Sequence, residues 1–357
     1  MKSQRIQALT GVRAIAAIMV FLYHNRKHWR ADVPEIFLRF LNEFHTGVSV
    51  FFVLSGFLIA YTYKDNPLQS KKSYTQYLLI RLIRIFPVHL ILLTWKGIDD
   101  GFANGKETFL TYSLLHGLSD KYNLSGLPQA WSLTVELSFY TLAPVIYFFT
   151  KRNIVKTFFY LLTLLGVAVL IGYSWHWYNG NPDKFLYPWF FILNTTFPGR
   201  FIEFFAGVLL AHHILSGKLV ALAGIKYKTV IGGLAALLII YVMGLLEPTI
   251  YNHGTDHIAG LLLRNIAFAI AIALFLYGLI TERTWLQRFL STKLMVLLGN
   301  ASFIFYLVHI GYVNAELRTW YLFPDRNFIL LWLVSIAGFL LIEKPVYELL
   351  KKRIKRW

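Results

Sequence analysis

Residues 8–24 read ALTGVRAIAAIMVFLYH. The run is apolar except for Arg13 and the closing His24. A helix that crosses a bilayer needs about 20 mostly apolar residues, and this stretch has that length and character. It is not expected to be a cleaved leader. The basic start at Lys2 and Arg5 fits one, but the run continues into Tyr23-His24-Asn25 without a small-residue cleavage site. Nine further runs of the same kind follow, near 45–63, 75–95, 130–150, 156–175, 189–213, 228–245, 258–281, 294–314 and 328–350. The sequence therefore predicts an all-α, polytopic integral membrane protein with about ten transmembrane helices.

Composition agrees. Hydrophobic residues make up 57% of the 357 residues and charged residues 15%, against about 25% charged in soluble domains. A soluble enzyme and a disordered chain are excluded on that ground. There is no cysteine, so disulfides, thiolate metal sites and a cysteine nucleophile are excluded too. Lys+Arg number 35 against 18 Asp+Glu. In a membrane protein that excess reads as positive-inside loops and contact with anionic lipid, not as nucleic-acid binding. With both termini placed in the cytoplasm, the inner segments hold 19 basic residues and the outer loops 10. Lys64, Lys71, Lys72, Lys151, Arg152, Lys218, Lys226 and the tail 351–356 fall inside; Arg26, Lys27, Arg30 and Arg39 make the first outer loop the exception. No linker, repeat or low-complexity tract divides the chain, which is expected to form a single domain over 1–357 without a fused soluble domain. The longest loop, about 96–129, contains Gly101, Gly105, Gly117, Gly126 and Pro128 and reads as a flap or short interfacial segment.

Ionisable groups inside membrane spans are costly and mark functional sites by default. Arg13 and His24 are eleven residues apart, so on a helix they face the same side, about 16 Å apart along the axis. The plainer alternative is a snorkelling arginine with an interfacial histidine. Arg81 and Arg84, at i and i+3, share a face near the cytoplasmic side and form a fork suited to phosphate; topological anchoring is the competing account. Glu136 follows Trp131-Ser132-Leu133-Thr134-Val135 in an outward-to-inward span, which places it near the depth of His24. A buried carboxylate needs a partner, and that histidine is a natural one. Arg200 and Glu203, also i and i+3, are spaced to neutralise each other. Arg264 lies within a span, and Glu343-Lys344 near the inner end of the last one. His309 stands alone on an apolar helix, where packing is the simpler role. No HExxH, Walker, GxSxG or GxGxxG context is present, so no metal is expected.

Six of these pieces, in order, resemble the membrane acyltransferase 3 family. They are Arg13 and His24 as an Arg-x10-His pair, the run Gly47–Ile59 (GVSVFFVLSGFLI), and Arg81-Leu82-Ile83-Arg84. Then come Trp131-Ser132-Leu133-Thr134-Val135-Glu136, Gly299-Asn300-Ala301-Ser302 with Tyr306-Leu307-x-His309, and Glu343-Lys344-Pro345. The resemblance covers nearly the whole chain. It departs where many relatives carry a second acidic residue after the glutamate and a nearby glutamine; Leu137 and Ser138 stand here.

The resemblance implies transfer of an acyl group, usually acetyl, from cytoplasmic acyl-CoA to hydroxyls of extracytoplasmic glycans, most plausibly lipopolysaccharide O-antigen, in a bacterial inner membrane. Acetyl-CoA is then a co-substrate, held by Arg13, Arg81 and Arg84. His24 would act as general base or carry the acyl group itself, with Glu136 orienting it; the residues leave both routes open. Trp131, Ser132, Arg200, Glu203 and His309 would support the site. The expected partners are acyl-CoA, a glycan or lipid-linked saccharide acceptor and membrane lipid, with no nucleic acid. The competing class is a transporter or flippase that uses the same buried charges as a substrate path.

Overall fold

The computed structural model describes residues 2–26, 33–63, 70–217, 224–246, 252–320 and 324–356. Lys27, Arg30, Lys64 and Lys218, which enter the loop-charge argument, lie outside them. Among the described residues the chain is helical, with one isolated antiparallel bridge between Ser119 and Phe185. The helices used below are α1 (Lys2–Asn25), α2 (Glu35–Asn42), α3 (Gly47–Thr62), α4 (Lys71–Asp100), α5 (Gly105–Tyr112), α6 (Trp131–Arg152), α7 (Ile154–Asn179), α8 (Trp189–Thr195), α9 (Phe197–Ser216), α10 (Lys228–Leu246) and α11 (Ile258–Thr281). They continue with α12 (Trp285–Leu290), α13 (Lys293–Val308), α14 (Tyr312–Trp320) and α15 (Asn327–Arg356).

Eight helices among the described residues are long and apolar enough to cross a membrane: those starting at Gln7, Glu35, Lys72, Pro128, Ile154, Lys228, Ile258 and Asn327. They match eight of the ten expected spans. The other two differ for physical reasons. The run 189–213 breaks into α8 and α9 at Thr196, which is extended (φ −115°, ψ 156°). Arg200, Glu203, His212 and His213 then dilute the hydropathy of α9. The run 294–314 is interrupted after the 16 residues of α13, where the helix ends at His309. Outward faces are apolar, as lipid requires: Leu170, Leu234, Leu238 and Ile270 are all exposed. The expected loop 96–129 contains a short helix, α5, and 3-10 turns at His116–Leu118 and Pro128–Ala130.

The chain divides into two compact units, Met1–Tyr61 with Ile202–Ile336, and Thr62–Phe201 with Ala337–Trp357. In the first, small residues let helices approach backbone to backbone, as membrane packing favours. A Cβ on Gly56 of α3 would lie 2.0 Å from the Phe204 carbonyl oxygen, and one on Gly207 2.0 Å from that of Val53. The α1–α13 pair is equally close: a Cβ on Gly299 would meet the Thr10 oxygen at 1.9 Å. Next to these seams, Phe52 stacks on Phe204 at 4.5 Å and Phe305 on Trp332 at 4.0 Å. Such aromatic pairs contribute about 0.5–1.5 kcal/mol each beyond their burial. Close packing along α1–α13 fixes the end of α13 against the end of α1, where the histidines lie.

In the second unit α4 is pinned to α6 by tyrosine hydroxyls. Tyr77 donates to the Tyr140 carbonyl (2.9 Å) and Tyr74 to that of Thr141 (3.0 Å). The Gln76 amide donates to the Ile354 carbonyl (3.1 Å), tying in the end of α15. Helix starts follow ordinary capping chemistry. Ser70 accepts from the Ser73 backbone N–H ahead of α4, and Asn153 from that of Lys156 ahead of α7.

Candidate active site

Two clusters hold the residues singled out in the sequence, one in each unit. In the first unit α1 is unbroken through both Arg13 and His24, so their spacing of eleven residues does put them on one face. Arg13 is half-buried and engaged by neighbours. His24 Nδ1 lies 2.9 Å from the Val20 carbonyl oxygen and 3.1 Å from Nε2 of His309. His309 is fully buried, and its Nδ1 lies 2.7 Å from the Tyr306 carbonyl oxygen.

That chain of contacts assigns the protons on neutral rings. A carbonyl only accepts, so His309 Nδ1 carries its hydrogen and its Nε2 is a lone pair. His24 Nδ1 therefore donates, shared between His309 Nε2 and the Val20 oxygen. The lone pair of His24 falls on Nε2, and His24 is exposed on the surface of the unit. An imidazole held by its Nδ1–H with a lone pair at Nε2 is the form that accepts a proton or attacks a carbonyl carbon. His309, for which packing was the simpler sequence reading, is thus the residue that touches His24. Its signal was its place in Tyr306-Leu307-x-His309, but nothing in the sequence sets α13 beside α1.

The second unit holds the arginine fork and the glutamate. Arg81 Cζ lies 5.2, 5.8 and 5.7 Å from the ring centroids of Tyr63, Tyr77 and Tyr140. Rings around a guanidinium favour the cation without neutralising it. Its Nε is buried without a hydrogen-bond acceptor. Arg84, on the next turn of α4, is half-buried. The Tyr140 hydroxyl donates to the Glu136 carboxylate. One ring therefore joins Arg81 to Glu136, a link that helix counting along α4 and α6 separately did not reveal. Trp131 starts α6 and has the Arg200 guanidinium 5.9 Å from its ring. Arg200 is almost fully buried and donates to the Asn194 carbonyl at 2.8 Å. Ser132 donates to the Gln129 carbonyl at 3.0 Å and so helps start α6. Glu203, one helical turn past Arg200 on α9 but in the first unit, is fully buried and engaged by neighbours. His24 and Glu136 belong to different units, and each is held by residues of its own unit.

Sequence reasoning missed Tyr23, Glu43, His45 and His253, which gather near His24. Tyr23 and His24 rings are 4.4 Å apart edge to face, and the Tyr23 hydroxyl lies 3.1 Å from His253 Nε2. Tyr23 and His253 are 230 residues apart, so only the fold could bring them together.

The acyltransferase 3 family, described as an acyltransferase domain, matches residues 6–343. The chain is 28% identical over 330 residues to Acyltransferase MdmB of Streptomyces mycarofaciens, covering 85% of this chain and 78% of that one. It is 26% identical over 337 residues to O-acetyltransferase OatA of Staphylococcus aureus, covering 87% of this chain and 51% of that one. The chain thus spans about half the length of that staphylococcal relative. No solved structure matches it. A match over nearly the whole chain, on a helical scaffold with eight membrane-length helices among the described residues, makes the chain a multi-pass membrane member of the acyltransferase 3 family.

Proposed function

We propose that the chain is a membrane O-acetyltransferase. It moves the acetyl group of cytoplasmic acetyl-CoA to a hydroxyl of an extracytoplasmic surface polysaccharide, with lipopolysaccharide O-antigen as the leading acceptor. The observation that carries this reading is the His24–His309 contact, which leaves the Nε2 lone pair of His24 for chemistry. The names of MdmB and OatA, an acyltransferase and an O-acetyltransferase, support the reaction class. The excess of basic residues in alternate loops supports both termini on the cytoplasmic side of a bacterial inner membrane.

In this reading His24 Nε2 takes the proton of the acceptor hydroxyl as its oxygen attacks the thioester carbonyl. The tetrahedral intermediate then expels the CoA thiolate, and the proton leaves His24 for that sulfur. The alternative route attacks with Nε2 itself, releases CoA and leaves an acyl-imidazole that the hydroxyl resolves. His309 Nε2 accepts from Nδ1–H throughout and stabilises the positive charge on His24 in either route. Arg13, Arg81 and Arg84 are proposed to bind donor phosphates. Glu136, steadied by Tyr140, is proposed as the second catalytic group, as the family resemblance implies.

The test is release of CoA by purified protein. The chain has no cysteine, so a thiol reagent reads CoA alone. Acetyl-CoA with no acceptor gives a burst near one equivalent if an acyl-imidazole forms, and none on the direct route. Mass spectrometry of surface glycans with and without the gene identifies the acceptor. A purified protein that neither hydrolyses nor transfers from acyl-CoA, while carrying glycan across vesicles, would replace the enzyme by a transporter.

A further inference from the structure

The cluster beside Tyr23 is built like a metal centre. Glu43, His45 and His253 each offer one ligand atom, and these atoms all lie within 4.8 Å of one another. Glu43 Oε2 and His45 Nε2 are 3.2 Å apart. A tetrahedral zinc ion with bonds near 2.0–2.1 Å needs ligand atoms about 3.3 Å apart. One pair already meets that spacing, and small side-chain rotations close the rest.

The remaining contacts have the pattern of a ligand set with its outer support in place. Glu43 is completely buried, and its Oε1 accepts from the Gly254 backbone N–H at 2.7 Å. Its Oε2 makes no hydrogen bond, and neither does His45 Nε2 or His253 Nδ1, although all three atoms are buried. Buried polar atoms without hydrogen bonds are costly, and one on each member of the cluster, two of them only 3.2 Å apart, calls for an unseen partner. His253 Nε2 is held by the Tyr23 hydroxyl. Metal-bound histidines use one nitrogen and give the other a partner of this kind.

We propose that Glu43, His45 and His253 bind a divalent transition-metal ion of the zinc class. Two imidazoles and a carboxylate select zinc-like ions over magnesium or calcium, which prefer all-oxygen shells. The ion ties the turn after α2, which carries Glu43 and His45, to the segment ahead of α11, which carries His253, beside the His24 end of α1. The site departs from the sequence expectation of no metal because its ligands come from two distant segments and form no motif. The inference does not depend on the acyl-transfer reading.

The test uses the full chain purified in detergent with a tag that contains no histidine. After chelation and reloading, elemental analysis should find about one zinc per chain. Cobalt(II) in its place should give the intense visible absorption of a tetrahedral site. Glu43→Gln and His253→Gln should each weaken zinc binding by roughly 100-fold, and Tyr23→Phe by roughly 10-fold. His24→Ala should leave it unchanged. Zinc should also raise the melting temperature of the wild type but not of His253→Gln. Wild-type protein that holds only substoichiometric, easily washed zinc would overturn the proposal and leave Glu43–His45 as an ion pair. Full binding in well-folded His253→Gln would overturn it equally.

Discussion

Replacing His309 tests the proton assignment on which the candidate chemistry rests. In the resting state His24 Nδ1–H is shared between His309 Nε2 at 3.1 Å and the Val20 oxygen at 2.9 Å. A neutral hydrogen bond of this kind contributes about 0.5–1.5 kcal/mol, and one to a charged group about 1.5–3 kcal/mol. When His24 becomes positive during transfer, the contact moves from the first class to the second. His309 thus favours the transition state over the ground state by about 1–2 kcal/mol, or roughly 5–30-fold in kcat at 1.36 kcal/mol per decade. His309→Ala should lose that factor with the KM for acetyl-CoA unchanged. The loss stays modest because the Val20 carbonyl still holds Nδ1–H and so preserves the tautomer. His24→Ala should lose at least about 100–10,000-fold, the usual contribution of a general base. His309→Gln should recover much of the rate, since its carbonyl can accept from His24 while its amide donates to Tyr306.

The assay is thiol-detected CoA release by folded protein, with melting temperatures recorded for each variant because His309 is buried and alanine leaves a cavity. If His309→Ala is as damaging as His24→Ala in well-folded protein, His309 carries a proton itself and the positioning argument fails. If the rate does not change, the contact has no part in the chemistry.

Other consequences are equally direct. Arg81→Lys keeps the charge but loses the planar group that fits among Tyr63, Tyr77 and Tyr140; donor affinity by calorimetry should fall about 5–30-fold, and an unchanged affinity favours simple anchoring. Tyr140→Phe keeps the ring near Arg81 and removes the donor to Glu136, so kcat should fall about 10-fold with donor affinity intact; a pure affinity loss would separate Glu136 from the chemistry. Gly299→Leu forces a side chain into the Thr10 backbone and should lower the melting temperature sharply, by an overpacking cost of about 1–3 kcal/mol or more; a neutral effect would refute the close α1–α13 seam. His116, fully buried in the loop before α6, should contribute to acid sensitivity. Burial, helped by the His89 imidazole, pushes its pKa from 6.5 to about 4. The unfolded chain then binds a proton that the folded chain refuses. Stability is full above about pH 6.5 and falls toward pH 4, by up to about 3 kcal/mol. His116→Leu should flatten that slope in pH-dependent melting, and an identical slope would refute the assignment.

The spans were legible because apolar length is a local property: 20 residues in a row report on themselves. The two runs that differ carry the reason in their own residues, with Arg200, Glu203 and two histidines in α9 and a helix end at His309 in α13. The face shared by Arg13 and His24 was legible for the same cause, since helix geometry relates positions on one helix. Partners on other helices were not. His309 was visible as a residue and as part of a motif, but its contact with His24 depends on Gly299 letting α13 approach α1. Tyr140 stands four residues from Glu136 on one helix face, but nothing in the sequence set its ring beside Arg81 of α4.

That limit has a chemical consequence for reading polar groups in membrane proteins. Depth along a helix was the argument for pairing His24 with Glu136, and depth is one coordinate of three. The structure gives each group a contact within its own unit that depth did not single out: a histidine for the histidine, a tyrosine for the glutamate. Both contacts are neutral donors or acceptors, not opposite charges. Burying an ion pair costs desolvation of two charges, whereas a tyrosine hydroxyl or a neutral imidazole can satisfy a buried polar group with one charge or none. In a span with few ionisable residues, the first partner to seek for a histidine or carboxylate is therefore a neutral hydrogen-bonding side chain, on the next turn of its own helix as Tyr140 is for Glu136, or on the helix packed closest to it as His309 is for His24. Small residues at the seam are the sequence signal that finds that helix.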